Sequence, residues 1–330
     1  MATEKKNLSG KAKELRDAYA ALLDDLSTIV VGQKEMVESL ALSTLTGGHV
    51  LIEGLPGLAK TLAVRSFAQR LAAVFSRIQF TPDLLPADLL GTRIYNAKTS
   101  EFTVAKGPLF ANIVLADEVN RAPAKVQSAL LQAMQERKIT IGGETFELAE
   151  PFLVLATQNP VETEGTYSLP EAQVDRFLLK VVVGYPNAAE EMQILERADG
   201  LEIKDDPKPL LKPKQVLEAR DEAQSLFVDD KVKRYLVDLV LATRDPKAFG
   251  LADLTTLLRF GASPRATLAL ASAGRAQAFL DGRGYVTPDD IKSVAHRVLR
   301  HRLALSYEAE AEGVGPDEVV TRILAKVKAP

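Results

Sequence analysis

The stretch Gly54-Leu55-Pro56-Gly57-Leu58-Ala59-Lys60-Thr61 stands between the apolar run His49–Glu53 and a helical pattern that opens at Leu62. Strand, glycine-bearing loop and helix are the context a phosphate-binding loop needs. Glycine lets successive backbone N–H groups turn toward one anion, and the start of the following helix adds its positive end. On that reading Leu55, Pro56, Gly57, Leu58, Ala59 and Leu62 wrap the phosphates. Lys60 reaches the β- and γ-phosphates, and the Thr61 hydroxyl binds Mg2+. The usual second glycine of such loops is Ala59 here, which is tolerable if its backbone keeps a negative φ. The plainer alternative is a glycine-proline turn, and lysine and threonine at the right offsets weigh against it.

A second apolar run, Ile113-Val114-Leu115-Ala116, closes on Asp117-Glu118. A carboxylate at a strand end beside a phosphate loop can hold Mg2+, and the next can polarise an attacking water. Asp117 is expected at the metal and Glu118 at the water. Taken alone, such a run could equally be strand punctuation or a helix start. A third run ends in Ala156-Thr157-Gln158-Asn159-Pro160. The amide of Asn159 can donate and accept at once, which suits it to orient that water with Glu118. Against this, Asn-Pro is also a common turn starter. Two arginines complete the set. Arg176 lies just before a fifth apolar run, and Arg265 follows Ser263-Pro264 at a helix start. Cations are unwelcome near a helix N-terminus, so Arg265 suggests an anionic partner. A surface ion pair is the alternative for both, and composition does not choose.

These residues need a scaffold. Short apolar runs alternate with helical patterns over residues 49–185, the signature of a parallel sheet covered on both faces. Five runs, from His49 to Val183, read as strands buried on both sides. Residues 92–106 and 137–149 interrupt the alternation as two hairpins, the second turning at Gly142-Gly143-Glu144. The expected fold is thus an α/β parallel-sheet core with two inserted β-hairpins, followed by an all-helical domain. The divisions are an N-terminal amphipathic helix (1–26), the core (27–187), a linker rich in proline and charge (188–214) and the helical domain (215–330). Ser263-Pro264 and Thr287-Pro288-Asp289-Asp290 read as helix caps in the last of these.

Composition excludes several classes. With 330 residues and 46% apolar side chains, the chain can bury two cores. Having no cysteine, it has no disulfide, iron–sulfur cluster or thiolate zinc site. Its three histidines, His49, His296 and His301, are too scattered for a histidine-built metal site. A net charge of −3 argues against general phosphate attraction, so no nucleic-acid partner is expected. No apolar stretch is long enough to span a membrane, and the N-terminus lacks a signal-like apolar region. A cytoplasmic location is expected.

Taken together, GLPGLAKT, VLADEVNRAP, ATQNP, EAQVDRF and SPRA, in that order, resemble the MoxR family of AAA+ ATPases. The resemblance runs from about Val30 to near residue 327, and the hairpins fall where that clade carries its helix-two insert and pre-sensor hairpin. It implies a P-loop NTPase core with a helical lid, assembled into a homo-oligomeric ring, hexameric in this family, that hydrolyses ATP with Mg2+. Lys60 and Thr61 would be the Walker A pair, Asp117 and Glu118 the Walker B pair, Asn159 sensor one and Arg265 the sensor-two arginine. Arg176 would be an arginine finger acting in trans on a neighbour's ATP. Val31, Gly32 and Gln33 would lie beside the adenine. Arg121 would either reach a subunit boundary or simply sit inside a helix capped by Asn120. The family implies chaperone-like remodelling of a protein client, often a von Willebrand factor A domain protein. Alternatives within reach are a nucleic-acid motor, a nucleotide-gated scaffold, or a gas-vesicle or chelatase-type subunit.

Overall fold

The computed structural model describes residue 8 and residues 10–161, 166–200 and 207–330, without the side chains of 197–200. The chain divides into two compact units. One comprises Ala18–Pro170 and Val181–Leu217, the other the residues up to Asp17 with Glu171–Lys180 and Glu218–Pro330. Ten residues of the expected core thus group with the helical domain.

The elements as far as Gly200 are ordered as the alternation predicts. Helices α1 (Gly10–Ser27) and α2 (Lys34–Thr46) precede β1 (Val50–Gly54), α3 (Lys60–Arg70), β2 (Phe75–Gln79) and α4 (Pro86–Leu90). The first hairpin follows as β3 (Gly91–Asn96) and β4 (Glu101–Lys106), then β5 (Ile113–Asp117), a 3-10 turn at Val119–Arg121 and α5 (Ala124–Glu136). The second hairpin, β6 (Lys138–Ile141) and β7 (Glu144–Glu147), leads to β8 (Leu153–Gln158), α6 (Glu171–Val174), β9 (Leu179–Val183) and α7 (Ala188–Gly200). The five central strands order as β2-β5-β8-β1-β9. Pairing is parallel, with Ile52 opposite Thr157, Ala116 opposite Ala156 and Gln79 opposite Asp117. Strands β5 and β8 are buried almost throughout, as strands covered on both faces must be. Edge strand β2 departs from that expectation, because Arg77 and Gln79 are exposed.

One reading needs adjustment. The stretch expected as a linker over 188–214 contains α7 over its first part. Composition hid a cap there: the Asn187 side chain accepts from the N–H groups of Ala189 and Glu190 at 3.0 and 3.1 Å, and Glu190 answers at the Asn187 N–H at 2.8 Å. That reciprocal bonding satisfies the free donors of a helix start. Residues 201–206 of the expected linker, and residues 1–7 and 9 of the expected leading helix, lie outside the described residues. In α1 itself, Leu15, Tyr19, Leu22 and Leu26 form the predicted buried stripe.

The helical domain runs through α8 (Pro213–Gln224), α9 (Asp230–Arg244), α10 (Pro264–Leu280), α11 (Pro288–Leu299), α12 (Tyr307–Ala311) and α13 (Pro316–Lys326). Both predicted caps form. The Ser263 side chain accepts from the Arg265 N–H, and Thr287 with Asp290 makes a full capping box. A short antiparallel ladder, β10 (Leu258–Phe260) with β11 (Ala304–Leu305), adds to the helices.

Candidate active site

The strand order sets the site. β8 lies between β1 and β5, so the loop leaving β1, the acids ending β5 and the amide following β8 meet at one sheet edge. Open parallel sheets bind ligands at that carboxyl edge. A cleft of about 370 Å3 forms there, lined by Pro56–Leu62, Arg77, Asp117, Glu118 and Asn159. Seven consecutive loop residues and three of the polar groups predicted from separate motifs therefore share one cavity. Leu55 falls outside that lining. Val31 and Gly32 line a different cavity of the same unit, about 630 Å3 between α1, α2 and α7. Gln33 is buried, its Nε2 donating to the Gly184 carbonyl at 3.4 Å.

Within the loop, Gly57 has φ +82°, a conformation L side chains rarely adopt. Ala59 has φ 54° and ψ 18°, which corrects the expectation of a negative φ. It is the N-cap of α3, and its carbonyl accepts from Ala63 N at 2.9 Å. Left-handed residues in such a loop turn successive N–H groups to one side, and the first N–H groups of α3 have no intrahelical acceptor. The geometry outweighs the roughly 1–2 kcal/mol that an alanine pays there. Lys60 Nζ donates to the Gly54 carbonyl at 2.6 Å. Partial burial lowers its pKa, while Asp117 and Glu118 oppose the shift. A lysine, a hydroxyl and the uncommitted N–H groups of a helix start line the cleft on this side, groups that suit a polyphosphate.

The acids are held by residues that the motifs did not flag. Thr157, fully buried in β8, donates to Asp117 Oδ1 at 2.6 Å and accepts from the Glu118 N–H at 2.8 Å. Arg77 donates to Asp117 Oδ2 through Nη2 at 2.7 Å, and Gln79 Nε2 donates to Glu118 Oε2 at 2.9 Å. Polar residues inside short strand patterns were the available signal: Thr157 in an apolar run, Arg77 and Gln79 in β2. Arg121 pairs with Glu118 Oε2 at 3.0 Å. Its other expectation, a place inside a helix capped by Asn120, does not hold, since α5 starts only at Ala124 after Pro123. Glu118 takes φ 58° and caps the 3-10 turn, so a non-glycine residue sits in a costly conformation within the site. Asn159 is buried, and its Oδ1 accepts from Val161 N at 3.2 Å.

Arg176 and Arg265 belong to the other unit. Arg176 is exposed, whereas Arg265 lies 3.7 Å from Asp175. The histidines are structural. His49 accepts from Val154 N at Nδ1, leaving Nε2 to donate to the Met134 carbonyl. His296 contacts Thr321 and His301 the Phe177 carbonyl.

A parallel sheet in this order, with a donor-lined loop after its first strand and paired acids on β5, defines an ATPase of the AAA+ class. Family models agree. Residues 49–179 match the ATPase family associated with various cellular activities, and residues 253–323 match the AAA lid domain. The chain is 48% identical to the chaperone MoxR1 of Mycobacterium tuberculosis over 97% of its own length and 84% of that protein. It is 33% identical to the MoxR protein of Paracoccus denitrificans, covering 94% of this chain and 95% of that one. The crystal structure of a Cytophaga hutchinsonii protein superposes with a TM-score of 0.92 at 47% identity, over 97% of both chains. The chain belongs to the MoxR family of AAA+ ATPases. It is a nucleotide-binding ATPase of chaperone-like kind, and among the described residues no helix is long and apolar enough to cross a membrane.

Proposed function

We propose that this protein hydrolyses ATP with Mg2+ in a homo-oligomeric ring, most simply a hexamer, and uses the energy to remodel or assemble a client protein in the cytoplasm. The observation that carries the reading is the cleft where Lys60, Thr61, Asp117, Glu118 and Asn159 converge from one loop and two strand ends. Its donor set fits a triphosphate, and the Thr61 hydroxyl and Asp117 carboxylate that line the same cleft suit a hard, oxygen-seeking cation. Thr61 and Asp117 would hold Mg2+, which neutralises charge developing on the phosphates. Lys60 and the N–H groups of Gly57–Leu62 bind the phosphate chain. Glu118 takes the proton of the attacking water, and Asn159 orients that water. Arg176 supplies positive charge to ATP in the next subunit, and Arg265 senses the phosphate from the lid. Val31, Gly32 and Gln33 are assigned to the adenine side. A von Willebrand factor A domain protein is the first client to try.

Turnover per subunit against protein concentration tests this, for the wild type and for Glu118→Gln. A specific rate that climbs with concentration and vanishes in the variant is expected. A substantial rate that ignores concentration, in a protein shown to stay monomeric, would sink the trans role of Arg176.

A further inference from the structure

The segment that carries Arg176 is gripped along its length by the helical domain. Arg259, on β10, pairs with Glu171 at 2.7 Å. Ser263, the cap of α10, donates from Oγ to Asp175 Oδ2 at 2.9 Å, and Arg302 Nε donates to Asp175 Oδ1 at 2.8 Å. Arg302 also reaches the carbonyls of Phe177 at 2.6 Å and Leu178 at 3.1 Å. His301 donates to the same Phe177 carbonyl at 3.0 Å, and Arg300 to Lys180 O at 3.3 Å. Three consecutive side chains thus clasp the backbone from Asp175 to Lys180. Arg302 has only 3% of its side chain exposed, and burial lowers its pKa to about 10 against the pull of Asp175. It therefore stays cationic at neutral pH and must keep its carboxylate. Arg176 itself is exposed and makes no side-chain hydrogen bond or ion pair among the described residues.

Helix α6 has four residues, too few to hold a conformation alone. The placement of Arg176 must come from the clasp. A cation aimed at a phosphate in another subunit tolerates little error, since a 1 Å displacement can cost on the order of 100-fold in rate. We infer that Asp175, held by Arg302 and Ser263, is the positioning residue of the arginine finger, so that the finger a subunit offers its neighbour moves with its lid. This rests on the trans role proposed above for Arg176. Arg265 is the loosest partner of Asp175 at 3.7 Å, which leaves it the most easily drawn away to a phosphate.

Mixed oligomers test the inference. Subunits bearing Glu118→Gln do not hydrolyse but still present a finger. Wild-type protein is mixed with a large excess of Glu118→Gln subunits carrying no further change, Asp175→Asn or Arg176→Ala, and turnover is read per wild-type subunit. Asp175→Asn partners should lower the neighbours' rate by about tenfold or more, toward the Arg176→Ala mixture. Binding of a fluorescent ATP analogue by the Asp175→Asn subunit itself should stay within about twofold of wild type. Equal rates in the Asp175→Asn and Glu118→Gln mixtures, with Arg176→Ala still harmful, would overturn this inference alone. If Arg176→Ala partners are harmless as well, the trans reading falls and takes the inference with it. Should Asp175→Asn fail to fold, Ser263→Ala removes only one hydroxyl and should give a smaller loss of the same kind. No loss from it would equally count against the clasp.

Discussion

Thr157 shows how one hydroxyl can serve two acids. It gives its proton to Asp117 and takes the N–H of Glu118, so it fixes the carboxylate assigned to the metal and the backbone of the residue assigned to the water. Replacing it with valine keeps the volume but leaves a partly buried N–H unpaired, at a cost of about 1 kcal/mol or more. Thr157→Val should lower kcat by roughly 10- to 100-fold, a loss set by misplacement of the acids rather than of the nucleotide. ATP affinity should change little, and Thr157→Ser should recover most of the rate; steady-state kinetics of the three proteins checks this. Ala59 offers a second test at this scale. Its positive φ is cheap for glycine and worst for a branched side chain. Ala59→Gly should therefore bind ATP as well as wild type, whereas Ala59→Val should bind roughly 5- to 30-fold more weakly, because strain of about 1–2 kcal/mol falls on the bound loop. Titration with a fluorescent ATP analogue decides. A valine variant that binds normally would show that the loop does not need this conformation.

At the scale of elements, the turns on either side of α11 are fixed by polar side chains. Arg283 makes a two-pronged pair with Asp290, Nη1 to Oδ2 at 2.6 Å and Nη2 to Oδ1 at 2.5 Å, while the same carboxylate completes the Thr287 capping box. The Asp290 side chain is 1% exposed. Asp290→Ala removes a cap and strands a partly buried cation, which should destabilise the domain by about 3–5 kcal/mol. Chemical denaturation should show it as an early transition or a lowered midpoint. His301 adds a pH dependence. Burial, followed by the nearby Arg302 charge, holds its pKa well below 6.5, so the ring is neutral in the fold. The unfolded chain takes up a proton as pH falls through 6.5, and the folded chain does not. The stability His301 contributes is therefore complete above that pH and is lost progressively as pH drops toward the folded pKa. Thermal unfolding should be earlier at pH 5.5 than at pH 7.5. His301→Gln, which can still donate to the Phe177 carbonyl, should flatten that difference; an unchanged slope would exclude His301 as its source.

For the whole molecule, charge separates two kinds of AAA+ machine. A net charge of −3, and a second hairpin in which Arg137 and Lys138 are balanced by Glu144 and Glu147, make a poor phosphate track. Lys138 is already engaged with Glu147 at 3.1 Å across the hairpin. Double-stranded DNA at about 100 mM salt, where the Debye length is about 10 Å, should leave ATP turnover unchanged. Salt-sensitive stimulation by DNA would restore the motor reading. The first hairpin meets the second through Arg93, whose side chain packs on Gly142 so closely that an added Cβ would lie 2.0 Å from Arg93 Cδ. The two insertions thus touch each other within the core unit.

Local structure was readable in the sequence wherever a motif is made of neighbours in the chain. The strand–loop–helix over residues 50–70, the Asp117-Glu118 pair at a strand end, the caps at Ser263 and Thr287 and both hairpins depend on spacing of a few residues, and spacing is what a sequence displays. Strand number and the parallel sheet followed from burial, because strands covered on both faces must be apolar along their length. Tertiary structure alone decided what depends on register and strand order. Gln79 faces Asp117 because β2 pairs with β5 in one register, and Thr157 reaches both acids because β8 lies beside β5. Ala59 takes a positive φ as the N-cap of α3, a demand of the turn between loop and helix rather than of alanine. Arg176 sides with the helical domain because Arg300, His301 and Arg302 bond the carbonyls around it, more than a hundred residues along the chain. Carbonyl partners leave no trace in side-chain identity, so no pattern of residues could have announced them.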